Sequence, residues 1–402
     1  MTNFTEPEQN GAISPFIIDV SQAVLDDLKR RLDATRFPER ETAADASQGP
    51  QLARIKQLAD YWRTQYDWRR VERRLNHYPQ YKTEIDGLGI HFLHIRSPHP
   101  EAMPLIVTHG WPGSILEFLD TIDLLIDPTA HGGLATDAFH LIIPSLPGYG
   151  FSDKPAEKGW NRNRIAKAWH TLMRRLGYTE YVAQGGDWGS HVTIEMGRLE
   201  FPGLMAIHTN LPLVTPKVKP ANPTAEEQRV FDQLARFASD GSGYYQEMVT
   251  RPQTIGYALA DSPVGQLAWI YEKFQSWSDS DGDPIRAFGY DKILDDVTWY
   301  WVTNSGASSA RLYAEHPDLD FYSIPVRIPV GVSVFPVEIW TPPQSWAQQT
   351  YPNLIYWHKT ARGGHFAAFE QPGIFVDEIR AAFRTLRQSG NDQHHLIQHE
   401  SN

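Results

Sequence analysis

Gly185-Gly186-Asp187-Trp188-Gly189 constrains this chain more than any other stretch. Tyr181-Val182-Ala183-Gln184, just before it, has the length and apolar character of a buried strand, and Ser190, Val192, Ile194 and Met196 after it read as a helix. A strand that turns so tightly into a helix forces its central residue into a strained backbone and leaves that side chain projecting. Small residues on either side let the two elements approach. The spacing is that of a nucleophile elbow, with aspartate where a serine is usual. A carboxylate placed there attacks an electrophilic carbon and forms an alkyl ester, whereas serine would form an acyl ester. No Gly-x-Ser-x-Gly occurs in the chain, which counts against a serine esterase.

Composition narrows the setting. A chain of 402 residues buries a substantial core, as one large domain with insertions or as two domains. The net charge of -11 argues against a nucleic-acid or anionic-membrane partner. Lys29-Arg30-Arg31 and the run from Arg69 to Arg74 alternate with acids and apolar residues, as solvated helix faces do. Without cysteine, disulfides, thiol catalysis and zinc-thiolate sites are excluded. No apolar run approaches a membrane span, and Met1 to Gly11 lacks the pattern of a signal peptide, so a soluble, cytoplasmic protein without a transmembrane anchor is expected. His394, His395 and His399 read as part of a polar tail rather than as metal ligands.

Short apolar runs at Leu105 to Val107, His140 to Ile143, Tyr181 to Ala183 and Met205 to His208 alternate with helical ones, the pattern of a parallel sheet with crossover helices. Ahead of them, Tyr81 to Ile85 and Ile90 to Ile95 are strands joined at Asp86-Gly87. We expect a flexible stretch over 1–15, helices in 16–80 (one capped by Ser21), and an α/β core over 81–215 and 321–388. Residues 216–320 form a helical insertion that Thr224-x-x-Glu227 opens with a capping box, and 389–402 a flexible tail after a helix ending near Leu386.

Asp187, Glu338 and His365 each follow a strand, in the order nucleophile, acid, histidine expected of an α/β hydrolase. Two glycines before His365 let a loop project its imidazole, which can take a proton from water while Glu338 holds the tautomer. Glu370 is a rival partner for that histidine. His109-Gly110-Trp111-Pro112-Gly113-Ser114 follows the strand at Leu105, where such enzymes place an oxyanion hole; the backbone N–H groups of Trp111 and Trp188 suit that duty, and Pro112 fixes the loop through a cis bond. Glu117, just beyond, reads as a capping or helix-surface residue.

These motifs resemble those of the microsomal-type epoxide hydrolases of the α/β-hydrolase superfamily, which include the insect juvenile hormone hydrolases. The matching blocks are HGWPGS at 109–114, PSLPGYGFS at 144–152, GGDWGS at 185–190, DSPVGQLAWIYEKFQSW at 261–277, FPVE at 335–338 and RGGHFAAFEQP at 362–372. Residues 16–80 resemble the family's N-terminal extension, which wraps the catalytic domain. The resemblance implies a mostly parallel central sheet, a helical lid over 216–320 and hydrolysis of an epoxide to a vicinal diol with water and no cofactor or metal. It also implies two lid tyrosines that protonate the epoxide oxygen, here Tyr244 (chosen over its neighbour Tyr245 on the family pattern) and Tyr313. Trp111, Pro112, Phe151 and Trp188 are expected to bind substrate. The microsomal members' N-terminal anchor has no counterpart in Met1 to Gly11. A haloalkane or haloacid dehalogenase would share the Asp nucleophile, but a halide needs no proton from tyrosines; a non-catalytic binding protein would have no use for the triad. The sequence leaves open the epoxide, the role in detoxification, catabolism or biosynthesis, and the oligomeric state, a homo-oligomer included.

Overall fold

The computed structural model describes residues 11–216, 218–316 and 325–399, with side chains to Arg387. A nine-stranded sheet runs through it: β1 (Ser14–Phe16), β2 (Gln80–Ile85), β3 (Leu88–Ile95), β4 (Met103–Thr108), β5 (Phe139–Pro144), β6 (Tyr181–Gly185), β7 (Leu204–Thr209), β8 (Val330–Val334) and β9 (Leu354–Lys359). Their order is β1-β2-β3-β5-β4-β6-β7-β8-β9. The first three strands are antiparallel, β3 joins β5 antiparallel, and β4 to β9 are parallel. Asp86 and Gly87 close the β2–β3 hairpin at φ of 52° and 75°, the left-handed pair that a two-residue turn requires and that Asp-Gly accepts at little cost. Every residue of β6 and β8 is buried, as in a parallel sheet covered on both faces. The helix Trp188–Arg198 packs on β4, β6 and β7, and the last helix, Pro372–His399, on β7 to β9.

Between β7 and β8 the chain leaves the sheet for helices at 225–236, 243–250, 252–261, 263–277, 284–302 and 306–314. The predicted capping box opens this segment: Thr224 Oγ1 accepts from Glu227 N–H, and the Glu227 carboxylate accepts from Thr224 N–H. The N-terminal helices wrap it, with Gln22–Asp33 and Leu52–Thr64 on the 263–277 helix and Trp68–Asn76 on the 284–302 helix. Among the described residues no helix is long and apolar enough to cross a membrane.

Three expectations need correction. Residues 14 and 15 are not flexible but part of β1, where Ser14 and Pro15 pair with Lys82 and Tyr81; residues 1–10 lie outside the described residues. Ser21 holds the N-cap position without a side-chain cap bond. The final helix does not end near Leu386 but continues to His399; the side chains of His394, His395 and His399 lie outside those described.

Candidate active site

Three strand ends converge. Asp187 sits between β6 and its helix at φ 49° and ψ -124°, a strained conformation for a residue with a Cβ. The turn closes only because its neighbours are glycine: a Cβ on Gly189 would lie 1.9 Å from the Thr108 carbonyl oxygen. In the loop after β4, a Cβ on Gly110 would lie 2.2 Å from Asp187 Oδ1, so this loop can approach the carboxylate only through glycine.

The Trp111 N–H donates to Asp187 Oδ1 at 2.7 Å, and Asp187 Oδ2 faces His365 Nε2 at 3.3 Å. His365 Nδ1 lies 2.6 Å from Glu338 Oε1, which also accepts from Ile339 N–H at 2.7 Å. The histidine loop is pinned from both sides: Val337 pairs with Gly364 in a parallel bridge, and His365 N–H donates to the Trp277 carbonyl at 2.9 Å. Burial opposes charging of the His365 ring, yet the carboxylates of Glu338 and Asp187 outweigh it and hold its pKa well above the ordinary histidine value. Glu370 is occupied elsewhere, accepting from Asp279 N–H at 2.7 Å and Phe366 N–H at 3.1 Å. It braces the histidine loop and leaves the imidazole to Glu338.

His109 holds the other wall. Its Nδ1 meets the Gly110 carbonyl at 3.0 Å and its Nε2 the Leu146 N–H at 3.1 Å, which is satisfied by a neutral ring protonated on Nδ1. Burial lowers its pKa to about 4, in keeping with that neutral form. The Trp111–Pro112 peptide is cis. Trp188 is the first residue of its helix, so the helix itself leaves its N–H unpaired.

Above the carboxylate stands an aromatic cage. Tyr244 stacks on Trp111 with centroids 5.0 Å apart, and Tyr313 meets Trp188 edge-on at 4.8 Å and Tyr244 at 5.9 Å. Both phenols are buried, and the Tyr313 hydroxyl has no hydrogen-bond partner. Burial first, with the nearby Asp187 charge adding, pushes both phenols well above their ordinary pKa, so both stay protonated donors at neutral pH. Tyr245 is half-buried and touches Tyr313 edge-on at 5.7 Å. Phe151 stands apart: it packs against Phe16, His91 and Trp299, drawn toward β1 rather than the cavity beside Asp187. Sequence reasoning overlooked Trp277, edge-on to His365 at 4.9 Å, and misplaced Glu117, which lines that cavity instead of a helix surface.

A family model described as "Epoxide hydrolase N terminus" matches residues 13–118, and one described as "alpha/beta hydrolase fold" matches 103–198. The chain is 59% identical to a "Putative epoxide hydrolase" of Stigmatella aurantiaca, over 93% of this chain and 86% of the relative. It is 36% identical to "Epoxide hydrolase 1" of Sus scrofa over 94% of this chain and 90% of the relative. The chain belongs to the epoxide hydrolase family. The crystal structure of the juvenile hormone epoxide hydrolase of Bombyx mori superposes on this epoxide hydrolase with a TM-score of 0.86, at 31% identity, covering 95% of this chain and 97% of that one. The likeness spans both the α/β-hydrolase fold and the wrapping extension. It makes this epoxide hydrolase an enzyme of the ether-hydrolysing class, and the dehalogenase alternative is not favoured.

Proposed function

We propose that this enzyme opens epoxides in two covalent steps, with Asp187 as nucleophile, His365 as base and Glu338 as its orienting acid. The observation that carries the proposal is the pair of contacts to one carboxylate: Trp111 N–H on Oδ1 at 2.7 Å and His365 Nε2 beside Oδ2 at 3.3 Å. Oδ2, the oxygen that Trp111 leaves free, attacks an epoxide carbon, and the C–O bond of the ring breaks. The departing oxygen takes a proton from Tyr244 or Tyr313, and a hydroxyalkyl ester of Asp187 results.

Esterification then changes the electrostatics. While Asp187 is ionised it favours the imidazolium form of His365; as an ester it carries no charge, so the ring passes its proton to the tyrosinate left by ring opening and can act as a base. Water adds to Cγ of Asp187 as one of its protons passes to His365 Nε2, and the oxyanion on Oδ1 is held by the N–H groups of Trp111 and Trp188. Collapse expels the diol, whose oxygen recovers the proton from His365. The proton left on the Asp187 carboxyl returns to His365, which restores the carboxylate–imidazolium pair and leaves both phenols protonated. The buried walls of Trp111, Trp188, Trp277 and the two tyrosines favour an apolar substituent on the epoxide. Epoxides alkylate cellular nucleophiles at random, so their disposal in the cytoplasm is the role proposed, and the charge of -11 leaves no nucleic-acid partner in this reading.

Diol formation from terminal and aryl epoxides is the test. Wild type is expected to give diol and Asp187→Ala none. A single turnover in ¹⁸O-water with enzyme in excess should give unlabelled diol and label retained on Asp187. Label in every first-turnover diol would exclude the ester.

A further inference from the structure

Glu117 has no part in the scheme above, yet it stands inside the site. It lies on the 3₁₀ turn Ile115–Phe118 that follows the oxyanion loop. With Thr108, Gly110, Asn210, Asp187 and His365 it lines a cavity of ≈ 20 Å³. A single water needs about 10–15 Å³ on this measure, together with several polar partners, and the cavity meets both conditions. The position of Glu117 is held from behind: Tyr300 O–H donates to the Gly113 carbonyl at 2.8 Å, and Ser114 O–H to Asp296 Oδ1 at 2.7 Å. Glycine at 113 makes room for the carboxylate, since a Cβ there would fall 1.5 Å from Glu117 Oε1.

The hydrolytic step requires a second acceptor. Water has two protons; one goes to His365, and the other needs a fixed partner if the lone pair is to stay aimed at Cγ of Asp187. We propose that Glu117 is a catalytic residue of ester hydrolysis: its carboxyl accepts the second hydrogen bond of the attacking water in the cavity it shares with Asp187 and His365. In this step the water oxygen bonds to Cγ, one proton moves to His365 Nε2, and Glu117 keeps the other O–H bond oriented without taking its proton. Burial holds the Glu117 carboxyl well above the usual carboxylate range, and a protonated carboxyl still accepts through its carbonyl oxygen.

The inference rests on the covalent reading of Asp187, so the experiment separates the two. Glu117→Ala and the near-isosteric Glu117→Gln are compared with wild type and His365→Gln by stopped-flow tryptophan fluorescence, steady-state kinetics and intact mass spectrometry on a good epoxide. For Glu117→Ala, alkylation should stay within about twofold while hydrolysis slows about 10- to 100-fold; kcat and KM then fall together, kcat/KM is preserved and the ester accumulates. Glu117→Gln, whose amide oxygen still accepts, should lose less. A fall in kcat/KM without ester build-up would overturn the role of Glu117. If His365→Gln traps the ester and Glu117→Ala does not, the inference fails alone. If neither variant carries an adduct, the covalent reading fails and takes this one with it.

Discussion

A phenol that protonates a leaving oxygen must keep its own proton until the ring opens. In the proposed mechanism Tyr244 and Tyr313 have that duty, and burial and the charge of Asp187 both oppose phenolate formation. Tyr244→Phe or Tyr313→Phe should therefore slow alkylation about 10- to 100-fold, since one donor remains, and the double variant about 10³-fold or more. Single-turnover fluorescence on an aryl epoxide measures this. Alkylation by the wild type should not decline on the alkaline side short of the ordinary phenol range, about pH 10. The histidine supplies the complementary prediction. Asp187→Asn mimics the uncharged ester and removes one of the two carboxylates that hold the His365 pKa up. The ring should titrate at lower pH in that variant than in wild type, as NMR of the imidazole would show. An unchanged titration would mean that Asp187 does not control the base.

At the scale of elements, the N-terminal extension is fastened to the helical segment by a short polar clamp. Asp295, on the 284–302 helix, accepts from Tyr66 O–H at 2.8 Å and from Arg70 Nη2 at 2.6 and 2.8 Å. Arg70 is 40% exposed, so solvent screens part of the attraction. Asp295→Ala should still cost about 1 kcal/mol, because the hydroxyl of the half-buried Tyr66 loses its acceptor, and differential scanning calorimetry should show a lower unfolding midpoint. The Asp295–Tyr66 contact joins residues far apart in the chain, and neither sits in a pattern that pairs them. Elements were more legible than contacts. Alternating apolar runs mark the parallel strands, Asp86-Gly87 marks the hairpin and Thr224 with Glu227 marks the helix start, because each is dictated by its own neighbours. Only three residues long, β1 owes its existence to the edge that β2 offers. Asp187, His365 and Glu338 could be read from strand ends and glycines, since their placement is a property of loops. Glu117 could not: whether a residue on a 3₁₀ turn faces solvent or a cavity depends on Gly113, Tyr300 and Asp296 packing around it.

For the molecule as a whole, pH dependence of stability follows from which buried groups hold protons. His91 and His208 have pKa values lowered to about 3, and His94, His109 and His316 to about 4, with burial the main cause; burial lowers His191 as well. These rings stay neutral in the folded state while the unfolded chain takes up protons below about pH 6.5, so folding loses ground as pH falls through that range. Buried carboxyls act in the opposite sense. Burial raises Asp295 to about 6, Glu370 to about 7 and Asp296 to about 8, and Glu117 upward too, so the folded state keeps protons that the unfolded chain releases above about pH 4. Near pH 5 the histidines outnumber these acids and stability rises with pH. Above about pH 6.5 the histidines no longer contribute, whereas Asp296, Glu117 and the raised imidazolium of His365 still favour proton retention by the fold, so stability falls. The unfolding midpoint should pass through a maximum near pH 6.5, dropping on both sides. Asp296→Asn keeps an acceptor for Ser114 but cannot titrate. Because Asp296 holds its proton in the fold from about pH 4 to about 8, the substitution should flatten the alkaline side, steepen the acid side and move the maximum to higher pH. Calorimetry of wild type and variant between pH 5 and 8.5 tests both; an alkaline slope that the substitution does not change would show that Asp296 is not the group that loses its proton.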